Sequence, residues 1–117
     1  MNIEEVRQYC IVKRGVTESF PFDEVTLVFK VQGKIFALLS LGSDGTINLK
    51  CDPERAVDLR EKHSDIVPGY HMNKVHWNTV KLNGSLSDGL IMEMIDHSYD
   101  MVVKSLTRKL REELLSM

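Results

Sequence analysis

The segment from Gly69 to Val80 holds the side chains best suited to binding chemistry. It combines two imidazoles, a lysine, two amides and the only tryptophan of the chain. Imidazole and ammonium groups contact phosphates, and a tryptophan ring stacks on a base. No acidic residue occurs from Ile66 to Ser87, although the whole chain has a formal net charge of −2. The segment therefore favours an anionic or polar ligand.

Metal binding and catalysis fit this segment less well. His71 and His76 stand five residues apart, and a metal site would need help from Asp65, Cys51 or His63 in no recognised zinc spacing. Hydrogen bonding at the surface or capping of turns is the alternative role for both histidines. No nucleophile, base and oxyanion donor can be assembled from local spacing. We therefore expect no enzyme activity, no metal and no cofactor.

The elements that position this segment follow from hydrophobic periodicity and from capping residues. Asn2 and Glu5 form a predicted capping pair, Gly15 ends the first helix, and Asp52 caps the second. The remaining predicted elements are strands Thr26 to Val31, Lys34 to Leu41, Thr46 to Cys51, Ile66 to Met72 and Trp77 to Leu82, and helices from Asp88 and from Thr107 to Leu115. The turns lie at Gln32-Gly33, Gly42 to Gly45 and Asn73-Lys74. This order, αβββαββα with extra helix at the end, predicts an α+β two-layer sandwich: an antiparallel sheet of about five strands with helices on one face.

Strand alternation assigns side chains to the two faces of this sheet. The helix-covered face is predicted to include Leu27, Phe29, Val31, Ile35, Ala37, Leu39, Ile47, Leu49, Cys51, Val80 and Leu82. The opposite face is predicted to carry Thr26, Val28, Lys30, Phe36, Leu38, Ser40, Asn48, Lys50, Trp77, Thr79 and Lys81. Three interpretations of this second face remain: cover by the terminal helix or a second subunit, a ligand or nucleic-acid platform, and a solvated surface. Trp77 is interpreted either as a half-buried plug or as an exposed stacking ring.

Size and composition favour one domain, residues 1–117, because 117 residues with 43% hydrophobic content suit a single globular core. Apolar runs are too short to cross a bilayer, and the N-terminus lacks signal-peptide features. A cytoplasmic protein without a membrane role is therefore expected. Cys10 and Cys51 lack a CxxC spacing and are predicted to be reduced, buried thiols.

Two motifs stand close together in the chain: Pro68 to Lys74 (Pro-Gly-Tyr-His-Met-Asn-Lys) and His76 to Val80 (His-Trp-Asn-Thr-Val). In these motifs the sequence resembles the MmcQ/YjbR-like family of small bacterial proteins. Further segments agree in the same order: Phe20 to Asp23, Val28 to Val31, Lys34 to Ala37, Ile47 to Pro53 and Ile95 to Tyr99. The resemblance implies a small α/β domain with a double-wing arrangement suited to DNA.

The leading hypothesis is weak, non-specific DNA binding, with the hairpin turns as wing tips. A chain with no basic excess predicts a dissociation constant of about 10⁻⁴ to 10⁻⁶ M. The predicted nucleic-acid-binding residues are His71, Asn73, Lys74, His76, Trp77, Asn78, Lys30, Lys50 and Lys81. The alternative is a protein-interaction or chaperone-like module that binds no nucleic acid. Its open sheet face would pair with another protein or with a second copy of the chain.

Overall fold

The computed structural model describes residues 1–42, 45–69 and 72–117. The helices within these ranges are α1 (Ile3–Ile11), α2 (Pro53–Lys62), α3 (Asp88–Ser105) and α4 (Arg108–Leu115). The strands are β1 (Val16–Ser19), β2 (Thr26–Val31), β3 (Lys34–Ser40), β4 (Thr46–Lys50), β5 (Ile66–Pro68) and β6 (Trp77–Lys81). The predicted turn at Gly42 to Gly45 includes Ser43 and Asp44, which lie outside the described residues.

The strands form one antiparallel sheet in the order β1-β2-β3-β4-β6-β5. The predicted α+β class and antiparallel sheet are confirmed. The sheet has six strands among the described residues, against about five predicted, because β1 was not anticipated. This edge strand, Val-Thr-Glu-Ser, has one apolar residue and therefore gives little periodic signal.

All four helices contribute buried residues to one core on a single face of the sheet, as predicted. The contributing side chains include Val6 of α1, Ala56 of α2, Ile91 of α3 and Leu114 of α4. The helix starts are fixed by side chains that accept backbone N–H bonds, which satisfy donors that a helix leaves unpaired. The capping residues are Asn2, Asp52, Ser87 and Thr107. The predicted capping box of Asn2 and Glu5 is present.

An irregularity in the β2–β3 ladder changes the predicted faces. Phe29 pairs with Ala37 and Lys30 pairs with Ile35, which leaves Phe36 as the extra residue of a β-bulge. Phe36 is fully buried in the helix-covered core and meets Tyr99 of α3 edge-on, with ring centroids 5.4 Å apart. The predicted positions of Ile35 and Phe36 are therefore wrong: Ile35 packs on the opposite face with Val28 and Leu38.

Ser98 of α3 completes the backbone hydrogen bonding beside this bulge. Its hydroxyl accepts from the Lys50 N–H at 2.8 Å and donates to the Phe36 carbonyl at 2.5 Å. Ser98 is fully buried, so this one hydroxyl satisfies a donor on β4 and an acceptor on β3. The bulge and α3 therefore depend on each other.

The open face of the sheet as a candidate binding surface

The face opposite the helices, called the open face below, carries the predicted strand lysines. Lys30 follows Val28 by two residues on β2, Lys50 pairs with Trp77, and Lys81 pairs with Thr46. Lys30 and Lys50 lie two strands apart, which is about 10 Å across the sheet. Lys81 and Lys74 are exposed, and Lys30 and Lys50 are partly exposed. Four predicted cations therefore reach solvent on this side or in the adjoining turn.

These four lysines have no ion pairs within the described residues. The paired cations are the N-terminus, Arg7, Lys13, Arg55, Lys62 and Arg108, all in or beside the helical layer. Among these four lysines, Lys81 interacts electrostatically with a carboxylate, that of Asp65. The pKa of Asp65 is lowered mainly by hydrogen bonds from Ser85, with a smaller contribution from the Lys81 charge. Most of the positive charge on the open face is therefore available to a ligand.

Trp77 is buried rather than displayed. Its side chain is 8% exposed and packs with Val28 and Leu38, with Ile35 and Met72 against them. Gly69 makes this packing possible, because a Cβ at that position would lie 2.8 Å from the Trp77 Cβ. The Trp77 ring is therefore not exposed for base stacking. Of the two interpretations of Trp77, the half-buried plug agrees better with this burial than the exposed stacking ring does.

Asn78 lies on the helix-covered side of β6, which corrects its place in the predicted binding set. The residue is 2% exposed, and strand alternation points it away from Trp77 and Thr79. It cannot touch a ligand on the open face without rearrangement of the strand. The motif groups Asn78 with Trp77, but adjacent residues of a strand point to opposite faces of the sheet.

The turn between β5 and β6 carries Lys74, which is exposed, and His76, which is partly exposed. Asn73 is exposed, but its side-chain oxygen accepts from the backbone N–H of Val75 at 2.8 Å and of His76 at 3.3 Å. The Lys74 carbonyl accepts from Arg60 at 2.9 Å, which adds a second cation to this corner. The structure therefore gives Asn73 the turn-capping role, and leaves the Lys74 ammonium to solvent. His71 lies outside the described residues.

A groove of about 990 Å³ crosses the open face. Its floor includes Leu38, Asn48 and Thr79, and Lys81 lies at one side. One wall is the β1–β2 loop, residues 20–25, which contributes Phe22, Asp23 and Val25. The other wall includes Asp65, Val67 and Met72. This volume lies at the upper end of the range of about 300 to 1,000 Å³ for ligand sites.

Sequence reasoning missed the β1–β2 loop as part of this surface. Phe22 is 66% exposed and Val25 is 51% exposed, although both are large apolar residues. Asp23 holds the loop in place, because its carboxylate accepts from the N–H groups of Val25 and Thr26. These bonds lower the pKa of Asp23. The available signal was Phe20-Pro21-Phe22, two aromatic residues in a short loop with little room to bury them.

The residues that resemble catalytic groups have separate structural partners. Asp96 accepts from Tyr9 at 2.8 Å and from Lys13 at 2.5 Å, whereas His97 accepts from the Asp52 N–H at 3.1 Å. Within the described ranges, no cluster of three or more His, Cys, Asp or Glu is arranged to hold a metal. Across the same ranges, no helix is long and apolar enough to traverse a bilayer.

The fold and this surface define a two-layer α+β domain with one open sheet face. The chain belongs to the YjbR family, whose model, described as YjbR, matches residues 12–101. The Escherichia coli "Uncharacterized protein YjbR" is 38% identical over 118 residues, covering 100% of both chains. The Bacillus subtilis "Uncharacterized protein YyaQ" is 31% identical over 113 residues, covering 84% of this chain and 95% of its own.

Solved structures agree with this assignment. A Deinococcus radiodurans protein with the domain DUF419 superposes with a TM-score of 0.90 at 40% identity, covering 97% of this chain and 87% of that one. A Pseudomonas syringae protein superposes with a TM-score of 0.74 at 33% identity, covering 86% of this chain and 98% of that one. The family expected from the sequence motifs is confirmed.

Proposed function

We propose that this protein is a binding module rather than an enzyme, and that the open face is its binding surface. The separate engagement of Asp96 and His97 supports this proposal, because a general base and its orienting carboxylate must act together. The serines beside α3 are also engaged, since Ser85 bonds Asp65 and Ser87 caps the helix. The polar groups of the open face, in contrast, surround a groove.

The ligand that we propose first is the phosphate backbone of DNA, bound weakly and without base readout. The observation that carries this proposal is a set of lysines that form no ion pair with any residue that the structure describes: Lys30, Lys50, Lys74 and Lys81. Burial of Trp77 removes base stacking from the mechanism, so phosphate contacts have to supply the affinity. Four such contacts predict a slope of log K against log salt near −3 to −4.

Lysine substitutions test this proposal. Lys74→Ala and Lys50→Ala should each reduce the magnitude of the salt slope by about 0.9 for duplexes of any sequence. Lys109→Ala is the matched control, because Lys109 is an exposed cation of α4 in the helical layer. Fluorescence anisotropy over a salt series measures the slope. Equal slopes for the parent and both open-face variants, or no salt-dependent binding below ~1 mM, would show that the lysines do not bind phosphate.

A second candidate function is self-association through the open face, which the apolar groove walls favour. Phe22, Val25 and Val67 are exposed by 66%, 51% and 38% around one groove. Asp23 and Lys81 lie on opposite sides of this groove. In a two-fold interface, Asp23 of each copy would lie opposite Lys81 of the other copy. The surface is therefore electrostatically complementary to itself.

Sedimentation equilibrium tests this candidate. The parent should show a dimer that Phe22→Ser and Lys81→Glu weaken. Val12→Ser is the control, because Val12 is 67% exposed and does not line the groove. A monomer at all concentrations up to about 1 mM rejects self-association and leaves the DNA proposal intact. A dimer that Val12→Ser weakens as strongly as Phe22→Ser would place the interface elsewhere.

A further inference from the structure

Asn78 presents an unpaired amide in the interior. Both its side-chain nitrogen and its side-chain oxygen are buried and have no hydrogen-bond partner in the described part of the chain. The residue as a whole is 2% exposed. Leaving a buried donor or acceptor unsatisfied is costly, so native proteins pair such groups with protein atoms or with internal water.

A small cavity lies against this amide, between β4, β6, α2 and α3. Its volume is about 10 Å³, and its lining includes Asn78, Cys51, Leu59, Met94 and His97. A cavity needs about 10 to 15 Å³ on this measure to hold one water molecule. The size therefore suits a single water and excludes an organic ligand.

The cavity also offers further polar groups that a buried water requires. His97 accepts the Asp52 N–H at its Nε2, so its ring is neutral and carries its proton on Nδ1. The Cys51 thiol, buried with a raised pKa, is a weak donor beside the same space. Buried waters make two to four hydrogen bonds, and the Asn78 amide alone supplies a donor and an acceptor.

We propose that this cavity is the binding site of one internal water molecule, which hydrogen-bonds to the Asn78 amide and links β6 to α3 at His97. The water satisfies both otherwise unpaired atoms of the amide. It also explains a polar residue on the helix-covered side of a strand whose neighbours there are apolar.

Water contacts in the NMR spectrum of the labelled protein test this site. The Asn78 side-chain amide protons should give water cross-peaks of opposite sign in NOE and ROE spectra, which indicates a long-lived water. Asn48 provides an internal control in the same sample. Its amide faces the open groove and bonds Thr79, so its water contacts should be short-lived and of equal sign in both spectra.

Crystal structures of the parent and of Asn78→Leu give an independent readout. We expect density for one water within about 3.2 Å of the Asn78 amide in the parent, and its loss in the variant. Absence of long-lived water contacts at Asn78, a direct protein partner for its amide, or density for a larger molecule would overturn the proposal. If Asn78→Leu fails to fold, the parent spectra and parent density alone decide.

Discussion

Ser98→Ala is expected to destabilise the domain strongly, because one hydroxyl serves two backbone groups. The substitution removes the acceptor of the Lys50 N–H and the donor to the Phe36 carbonyl, at 2.8 and 2.5 Å. Each unsatisfied group costs about 1 to 3 kcal/mol, so the free energy of unfolding should fall by about 2 to 6 kcal/mol. At roughly 4 °C per kcal/mol for a domain of this size, Tm should fall by about 8 to 24 °C.

Urea unfolding and amide hydrogen exchange measure this effect at two levels. Ser105→Ala is the control in the same helix, because the Ser105 hydroxyl bonds only the carbonyl of Val102 near the helix end. The control should change stability by about 0.5 kcal/mol or less. Exchange at the Lys50 amide should accelerate in Ser98→Ala alone. A loss below about 1 kcal/mol together with an unchanged Lys50 exchange rate would refute the assigned role of Ser98.

Three further predictions follow from the interior. Burial, followed by the nearby Arg55 charge, lowers the pKa of His97 below the ordinary histidine value of about 6.5. The folded state therefore binds fewer protons at His97 than the unfolded state does. The stability that the neutral imidazole contributes is fully present above the unfolded pKa of about 6.5, and it should be lost as the pH falls from there through the folded pKa. His97→Gln retains an acceptor for the Asp52 N–H and should lose this part of the pH dependence in urea titrations at pH 7.5 and 5.5; an identical pH dependence in both proteins would exclude His97 as the source. Burial raises the pKa of Cys10 to about 12 and also raises that of Cys51, so Ellman's reagent at pH 8 should modify both thiols only after unfolding. Rapid modification of either thiol in the native protein contradicts this. Gly69→Ala should destabilise by about 1 to 3 kcal/mol, because the new Cβ would lie 2.8 Å from the Trp77 Cβ and 2.9 Å from the Trp77 carbonyl oxygen. Gly89→Ala, whose Cβ meets nothing within 4 Å, should be neutral or stabilising, and equal losses for both variants would argue against the Gly69–Trp77 contact.

Elements with several periodic residues and a capping residue were predictable from the sequence. The second helix, predicted to begin at Pro53 after the Asp52 cap and to run to about Lys62, is observed as Pro53–Lys62. The strand predicted at Thr26 to Val31 has those bounds. These segments fix their own structure locally, through caps and through alternation. The fourth predicted strand, Ile66 to Met72, is observed over Ile66–Pro68, and Tyr70 and His71 of its predicted range lie outside the described residues.

The candidate surface was less predictable because its faces depend on contacts distant in sequence. Alternation placed Lys30, Lys50 and Lys81 correctly on the open face, since β2, β4 and β6 are regular there. It failed at Phe36, where the bulge is stabilised by Ser98, 62 residues away. Burial of Trp77 also depends on partners from other strands, Val28 and Leu38. Residue types in a motif therefore indicated chemistry without indicating exposure.

The two edge strands of the sheet are poorly suited to pairing with a further strand, which bears on aggregation. One outer strand, β5, has three residues and ends in Pro68, which has no N–H to donate to an added strand. The other, β1, has four residues, and its Glu18 carboxylate is held by Arg7. Short margins with a proline or a charged residue resist strand-by-strand growth into fibrils. Edge-to-edge pairing between copies of this chain at high concentration is therefore disfavoured.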